Sequence, residues 1–224
     1  MKIIAAAGLA RSGKNTFIDI TRDILITNGY DVNRIKQYSF AEQVRAELAS
    51  FLQNTCNIDV WTSDDTIKKS IRPLLVWHAT FWRERDPLHW VNKVEIAVNN
   101  DKHDIDVALI TDLRYVNECR FVQSNGGNVI HIKRYSTHNA GSPSWNYVRG
   151  ISDNDNTPIR VFDDAPNTEE AKNDPLVAAM ANLTIEWENR QTEDAIKDQY
   201  LRTIVLQSLN DTKLFNVSGL GILV

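Results

Sequence analysis

The sequence predicts an α/β fold with a mostly parallel sheet flanked by helices. Three observations carry this. Short apolar runs alternate with segments of helical periodicity, a rhythm that joins parallel strands through helical crossovers. A glycine-bounded loop, Gly8-Leu9-Ala10-Arg11-Ser12-Gly13-Lys14-Asn15-Thr16, separates the first apolar run from the first periodic segment. The chain has 224 residues, enough for one sizeable domain with its own core, or one domain with an inserted lid.

Taken in order, Ile3–Ala7 reads as a short buried strand. Lys14 to about Thr27 reads as a helix, because Phe17, Ile20, Ile24 and Leu25 fall on one face. Arg34–Ser39 suits a second strand, and Phe40–Leu52 a helix of good formers such as Ala41, Glu42, Ala46 and Leu48. Thr62-Ser63-Asp64-Asp65 is a cap signal before a helix through Lys68 and Leu75. Asp86-Pro87 punctuates, with Pro87 in the first turn of a helix to about Val98. Asp106–Thr111 is a strongly apolar strand, Asn117–Gln123 a helix ended by Asn125-Gly126-Gly127, and Asn128–Lys133 a further strand. Residues 135–176, rich in Ser, Asn, Asp, Gly and Pro, read as a long irregular stretch, which in a compact domain is usually functional or mobile. Asn182–Glu186 reads as a last strand and Thr192–Leu209 as a closing helix, followed by an apolar tail, Gly-Leu-Gly-Ile-Leu-Val, that docks on the body or on a partner.

Composition narrows the function classes. A net charge of −4 argues against nonspecific nucleic-acid binding as the main task. The apolar run near residue 3 is too short to span a bilayer and has no signal-peptide cleavage region, so a cytoplasmic protein without membrane contact is expected. Cys56 and Cys119 match no metal-binding spacing and read as isolated reduced thiols; five scattered histidines predict no zinc site.

The spacing from Gly8 to Gly13-Lys14 is that of a phosphate-binding loop. Backbone N–H groups and the new helix's N-terminal dipole favour phosphate oxygens there, and Lys14 adds a mobile charge. The expected nucleotide contacts are Gly8, Arg11, Ser12, Gly13, Lys14, Asn15 and Thr16, with Thr16 as the hydroxyl nearest Mg²⁺. Val107-Ala108-Leu109-Ile110-Thr111-Asp112 is an apolar strand ending in an acid that can organise Mg²⁺ or its waters. Arg114 and Glu118, four residues apart, are either a phosphate clamp or a surface ion pair. Arg72, Arg83 and Arg85 lie near Trp77, Phe81, Trp82 and Trp90 and suit binding of a second phosphate-bearing molecule. Trp77 and Trp82 read as packing; Trp90 is open between packing and substrate contact.

These residues resemble, in order from Gly8 to about Trp187, the deoxynucleoside monophosphate kinases of bacteriophages, members of the P-loop nucleoside monophosphate kinase superfamily. The resembling pieces are Ala10–Thr16, Ser39-Phe40-Ala41 with Val44-Arg45, Arg72-Pro73-Leu74-Leu75, Thr80, Asp86-Pro87 with Trp90, Thr111–Tyr115 with Asn117-Glu118, and Gly126-Gly127 leading into Val129–Ile132. The resemblance implies a single P-loop kinase domain over 1–224, with a helical acceptor-binding region at about 40–100 and a candidate lid or insertion at about 135–176. It implies transfer of the γ-phosphoryl of ATP, with Mg²⁺, to a (deoxy)nucleoside monophosphate, in the host cytoplasm if the source is a phage. Lys14, Arg72, Asp112, Arg114 and Glu118 are then catalytic; Arg72, Thr80, Arg83, Arg85, Trp90, Arg114 and Glu118 face the acceptor; Thr16 and Asp112 hold the metal. Three positions depart from the family pattern: Asn15 for a common aspartate, Pro73 for a second basic residue, and Ala79 for a frequent glycine. They leave open another small-molecule P-loop kinase, or a catalytically weakened nucleotide-binding regulatory protein. A homodimer is equally open.

Overall fold

The computed structural model describes residues 1–138, 159–189 and 194–217. The chain begins with β1 (Lys2–Ala7), α1 (Lys14–Thr27), β2 (Ile35–Tyr38), α2 (Phe40–Cys56), α3 (Asp65–Arg85), α4 (His89–Asp101) and β3 (Val107–Leu113). It continues with α5 (Val116–Ser124), β4 (Asn128–His138), β5 (Ile159–Phe162), α6 (Thr168–Met180), β6 (Leu183–Glu188) and α7 (Asp194–Asp211). The parallel strands lie in the order β2, β3, β1, β4, with β6 parallel on β4, and β5 pairs antiparallel with the end of β4. Successive carbonyls of β4 serve opposite edges: Arg134 accepts from Asp163 N–H and Tyr135 from Asn189 N–H, which places β5 and β6 on opposite sides of β4.

The period of two in each strand divides the core. Ile3, Ala5 and Ala7 of β1, with Ala108 and Ile110 of β3, face α2, α4 and α5. Ile4 and Ala6, with Val107 and Leu109, face α1 and α7. The four predicted apolar positions of α1 all sit in this second layer. Near the end of β3 the register slips: Ala5 pairs with Ile110 but Ala7 with Leu113, one extra residue on β3. This explains why Leu113 packs in the same layer as Ile110 despite its opposite parity, and bulges commonly re-aim a side chain at such points.

Most elements fall where the sequence places them, with longer ends. The stretch 135–176 is more ordered than predicted. Residues 135–138 continue β4, 159–162 form β5, and Thr168–Met180 is a helix. Pro175 inside α6, and its Asn and Asp residues, weaken the helical signal in the sequence. A start signal was nevertheless there, since Asn167 caps α6 by accepting from Glu170 N–H at 2.9 Å. Residues 139–158, which make up much of the candidate lid, lie outside the described residues, as does the end of the apolar tail. Among the described residues no helix is long and apolar enough to cross a membrane.

Glu47 ties the helical region together. It accepts from His78 at 2.6 Å, His89 at 3.2 Å and Lys93 at 2.7 Å, joining α2 to α3 and α4. Burial pushes its carboxyl up, but the bonds from Lys93 and His78 outweigh that and hold it below the usual range. Trp82 stacks on His89 at 4.4 Å and packs on the core, as expected. Trp77 does not: it is 59% exposed and stacks on Phe81 at 5.3 Å.

The loop after β1 is pinned from β6. Trp187 Nε1–H donates to the Ser12 carbonyl at 2.8 Å, and its ring fills the space beneath Gly13. Gly13 has φ 95°, and a Cβ there would lie 2.4 Å from Trp187 Cζ2. Gly13→Ala therefore adds a steric clash to a left-handed backbone, and the variant should lose about 2–4 kcal/mol in urea denaturation. A loss under about 1 kcal/mol would show that the indole gives way freely and does not pin the loop.

Candidate phosphate site at the carboxyl edge of the sheet

The parallel strands end together, bringing the Gly8–Gly13 loop, Ser39 after β2 and Asp112–Arg114 at the end of β3 to one edge. Gly8 (φ 129°), Arg11 (φ 67°) and Gly13 (φ 95°) all take positive φ, so the loop turns sharply twice. A Cβ on Gly8 would lie 2.4 Å from the Ile132 carbonyl, so the loop also packs close to β4. The first rung of α1 runs from Phe17 N–H to the Gly13 carbonyl at 2.9 Å. The N–H groups of Lys14, Asn15 and Thr16 consequently have no helix carbonyl to donate to. The Ser12 hydroxyl is buried without a hydrogen-bond partner among the described residues. A loop with these features fits phosphate oxygens, which accept from backbone N–H and hydroxyl groups alike.

Lys14 is buried and folds back over the loop, donating to the Gly8 carbonyl at 2.8 Å and the Leu9 carbonyl at 2.6 Å. Burial, and then the nearby Arg114 guanidinium, push its pKa down to about 8, while Glu170, Asp112 and Asp174 pull the other way. Asn15 and Thr16 are exposed at the start of α1.

Asp112 is bound on both oxygens. It accepts from the Ser39 hydroxyl at 2.8 Å, Phe40 N–H at 2.8 Å and Ala41 N–H at 2.9 Å, anchoring the N-terminus of α2. Ser39 in turn caps that helix through Glu42 N–H at 3.2 Å. A carboxylate has about four lone-pair sites, so three bonds leave Asp112 room for one further partner such as a water.

Glu118 also serves backbone. Its spacing from Arg114 suggests a side-chain pair, but its carboxylate accepts from Arg114 N–H at 2.7 Å and Tyr115 N–H at 3.1 Å. It is 2% exposed, and burial pushes its carboxyl up to about 7. Arg83 approaches it at 3.8 Å and lies over the Tyr115 ring at 4.3 Å. The Arg114 guanidinium turns elsewhere, to Glu170 of α6 at 2.8 Å. Glu170 also accepts from Ala10 N–H in the loop at 2.6 Å. One turn on, Asp174 meets buried His131 of β4 at 2.9 Å.

The structure thus gathers Lys14, Asp112, Arg114, Glu118 and Arg83 around one edge. It does not gather the rest. Arg85 lies over Phe81 at 4.2 Å and is exposed, with no hydrogen bond or ion pair to the cluster among the described residues. Arg72 and Thr80 are exposed on α3, and no hydrogen bond or ion pair involves either among the described residues. Arg72 is eleven residues before Arg83, about three turns or roughly 16 Å along the helix axis. Trp90 is corrected: it is 1% exposed, and its Nε1–H donates to the Ala79 carbonyl at 3.0 Å. It lies on the inner face of α4 with Val91, Val94 and Val98, enclosed by packing on the sheet. Glu170, Asp174, His131 and Trp187 were not read as site residues; of these, only Glu170 had a local signal, the capping spacing from Asn167.

No protein-family model matches the sequence, and no curated protein matches it. Solved structures similar to the chain include a shikimate kinase from Aquifex aeolicus vf5, 14% identical over 96% of this chain and 100% of that one, with a TM-score of 0.43. A sugar kinase from Janibacter sp. HTCC2649 is 10% identical over 94% and 95%, with a TM-score of 0.41. A shikimate kinase from Acinetobacter baumannii, in complex with shikimate, is 13% identical over 96% and 95%, with a TM-score of 0.38. At these values the likeness carries no argument about the site; the α/β fold rests on the strand order and loop geometry above.

The titration of Glu118 gives a test of its placement. Its folded pKa, about 7, lies above the ordinary 4.5, so the folded state holds the proton more tightly. The resulting stability is complete below about 4.5 and is lost as pH rises through about 7. Glu118→Gln keeps an acceptor for the two N–H groups and stays neutral. Denaturation at about pH 5 and about pH 8 should show the variant gaining on the wild type at the higher pH. An equal gap at both would mean that Glu118 is ionised throughout.

Proposed function

We propose that the chain is a phosphotransferase that moves the γ-phosphoryl of ATP to a (deoxy)nucleoside monophosphate. One arrangement carries this reading: buried Lys14 folds over a loop whose first helix N–H groups have no helix carbonyl to donate to, with the Arg114 guanidinium near enough to push the lysine pKa down. Lys14 is buried and Arg114 is exposed beside it, and a buried ammonium next to a second cation is favoured only when anionic groups lie close to both. A donor polyphosphate and a phosphate-bearing acceptor supply such groups. The resemblance at Asp112, Arg114 and Glu118 supports the monophosphate acceptor.

In this reading the loop N–H groups and the Ser12 hydroxyl bind the donor phosphates. Lys14 leaves the Gly8 and Leu9 carbonyls and neutralises the group in transfer. Arg114, its backbone fixed by Glu118, orients the acceptor phosphate, and Arg83 adds positive charge beside it. Mg²⁺, when bound, neutralises phosphate charge; the Thr16 hydroxyl and, through water, the remaining acceptor site of Asp112 would hold it. Positioning and charge neutralisation supply most of the rate in such a transfer. The segment around 135–176 is proposed as the lid that keeps water out, with β5 and α6 as its described parts.

An ADP-release assay over nucleoside and deoxynucleoside monophosphates, with neutral alcohols as competing acceptors, tests the assignment. Turnover with a monophosphate is expected; turnover with alcohols alone would reassign the acceptor. Lys14→Ala should fold normally by circular dichroism and lose turnover to below about a tenth of the wild type. The lysine also sets a pH dependence. It is charged below about 8 and loses its proton as pH rises through that value. Affinity for ATP should fall between about pH 7 and about pH 9, and binding near the upper value should take up protons, because the bound phosphates raise the lysine pKa. Calorimetry in buffers of different ionisation enthalpy reads both effects, and affinity independent of pH would remove Lys14 from the phosphate site.

A further inference from the structure

A carboxylate stands where the proposed donor loop meets the acceptor arginine. Glu170, at 9% exposure, reaches from α6 with one oxygen on Ala10 N–H at 2.6 Å and the other on Arg114 Nη1 at 2.8 Å. Ala10 and Glu170 are 160 residues apart in sequence, so this is no local turn bond. Asn167 Nδ2 donates to the Arg114-bound oxygen at 3.4 Å. A loop N–H and a guanidinium converging on two oxygens of one anion form a phosphate-type recognition pair.

We propose that Ala10 N–H and Arg114 form the subsite for the phosphoryl group in transfer, and that Glu170 is its displaceable internal occupant. This rests on the phosphate-loop reading and deepens it. A carboxylate and a phosphoryl oxygen pair compete for the same donors, and both carry the negative charge that Lys14 and Arg114 require nearby. Glu170 bonds Arg114 and acts on Lys14 through its charge; a more highly charged phosphoryl group takes its place and frees the Glu170 end of α6. The second tether, Asp174 to His131, lies one turn further on and touches no loop N–H.

The test is calorimetric titration of ATP and of inorganic tripolyphosphate into the full chain at about pH 7, where Lys14 is charged. Glu170→Gln keeps shape and an acceptor but removes the charge. It should bind both probes about tenfold more tightly, the gain from freeing a subsite occupied about nine-tenths of the time, while denaturing more easily. A purely structural Glu170 would lose stability with no gain in affinity. Asp174→Asn removes a charge that also acts on Lys14 but occupies no loop donor, and it should leave affinity near the wild-type value. Glu170→Asp, one methylene too short to span both donors, should gain affinity in the same direction and serves if the glutamine variant fails to fold. Unchanged or weaker binding by the folded Glu170 variants overturns the proposal and leaves the phosphate loop standing, because the wild type still binds. Equal gains in Glu170→Gln and Asp174→Asn also overturn it, since charge alone would then explain the effect. No binding by any form removes the phosphate-loop reading and this proposal together.

Discussion

A buried ammonium imposes the main constraint on this edge of the sheet. Lys14 has left most of the solvent and has a guanidinium for a neighbour, two conditions that disfavour its charge. It is supported by the Gly8 and Leu9 carbonyls and by the fields of Glu170, Asp112 and Asp174. Those carboxylates would be costly themselves if left unbonded, so each is fixed by donors: Asp112 by the start of α2, Glu170 by Ala10 and Arg114, Asp174 by His131. Much of the polar architecture around the loop follows from keeping one lysine charged and ready.

Two acids near the site, Asp112 and Glu118, are spent on backbone. Asp112 organises the first turn of α2, and Glu118 organises the first turn of α5. An acid at a helix N-terminus satisfies orphan N–H groups and meets the positive end of the helix dipole. The consequence for the site is indirect but strong. Arg114 has its main chain held by Glu118 and its guanidinium by Glu170, so its position is set by two different helices. The extra residue near the end of β3 accompanies this arrangement, carrying Leu113 back into the core while Asp112 reaches α2.

What the sequence revealed was local. The glycine-bounded loop is a fixed spacing of glycines and a lysine, and the strands are short apolar runs, so both could be read from neighbouring residues. Arg83 stands out in the sequence for its charge beside aromatics, and Arg114 for its spacing from Glu118 and the resemblance; Arg83 does reach Glu118 and Tyr115, whereas the Arg114 guanidinium turns to Glu170. Trp90 is open in the sequence and reaches the acceptor only through the resemblance, because an aromatic beside a turn signal looks the same whether it faces a ligand or the core; the packing of α4 turns it inward. Trp187 and Glu170 were out of reach for a different reason. Their partners, Ser12 and Ala10, are 175 and 160 residues away, and no periodicity or spacing encodes such contacts. α6 was hidden by Pro175 and polar composition, although its Asn167 cap was present in the sequence.

The loop is therefore supported from two sides with opposite chemistry. On the β6 side, Trp187 contacts it through an indole ring beneath Gly13 and a neutral hydrogen bond to Ser12, contacts that do not compete with an anion. On the α6 side, Glu170 contacts it through a carboxylate on Ala10 N–H, a contact that any bound phosphate challenges. The first support can persist whatever the loop binds; the second depends on the charge in the site. Glu170 also holds Arg114, whose main chain is bonded to Glu118, so one carboxylate ties the loop to the end of β3 and the start of α5. A rigid support beneath and an exchangeable one beside it allow the same loop to be preorganised and responsive.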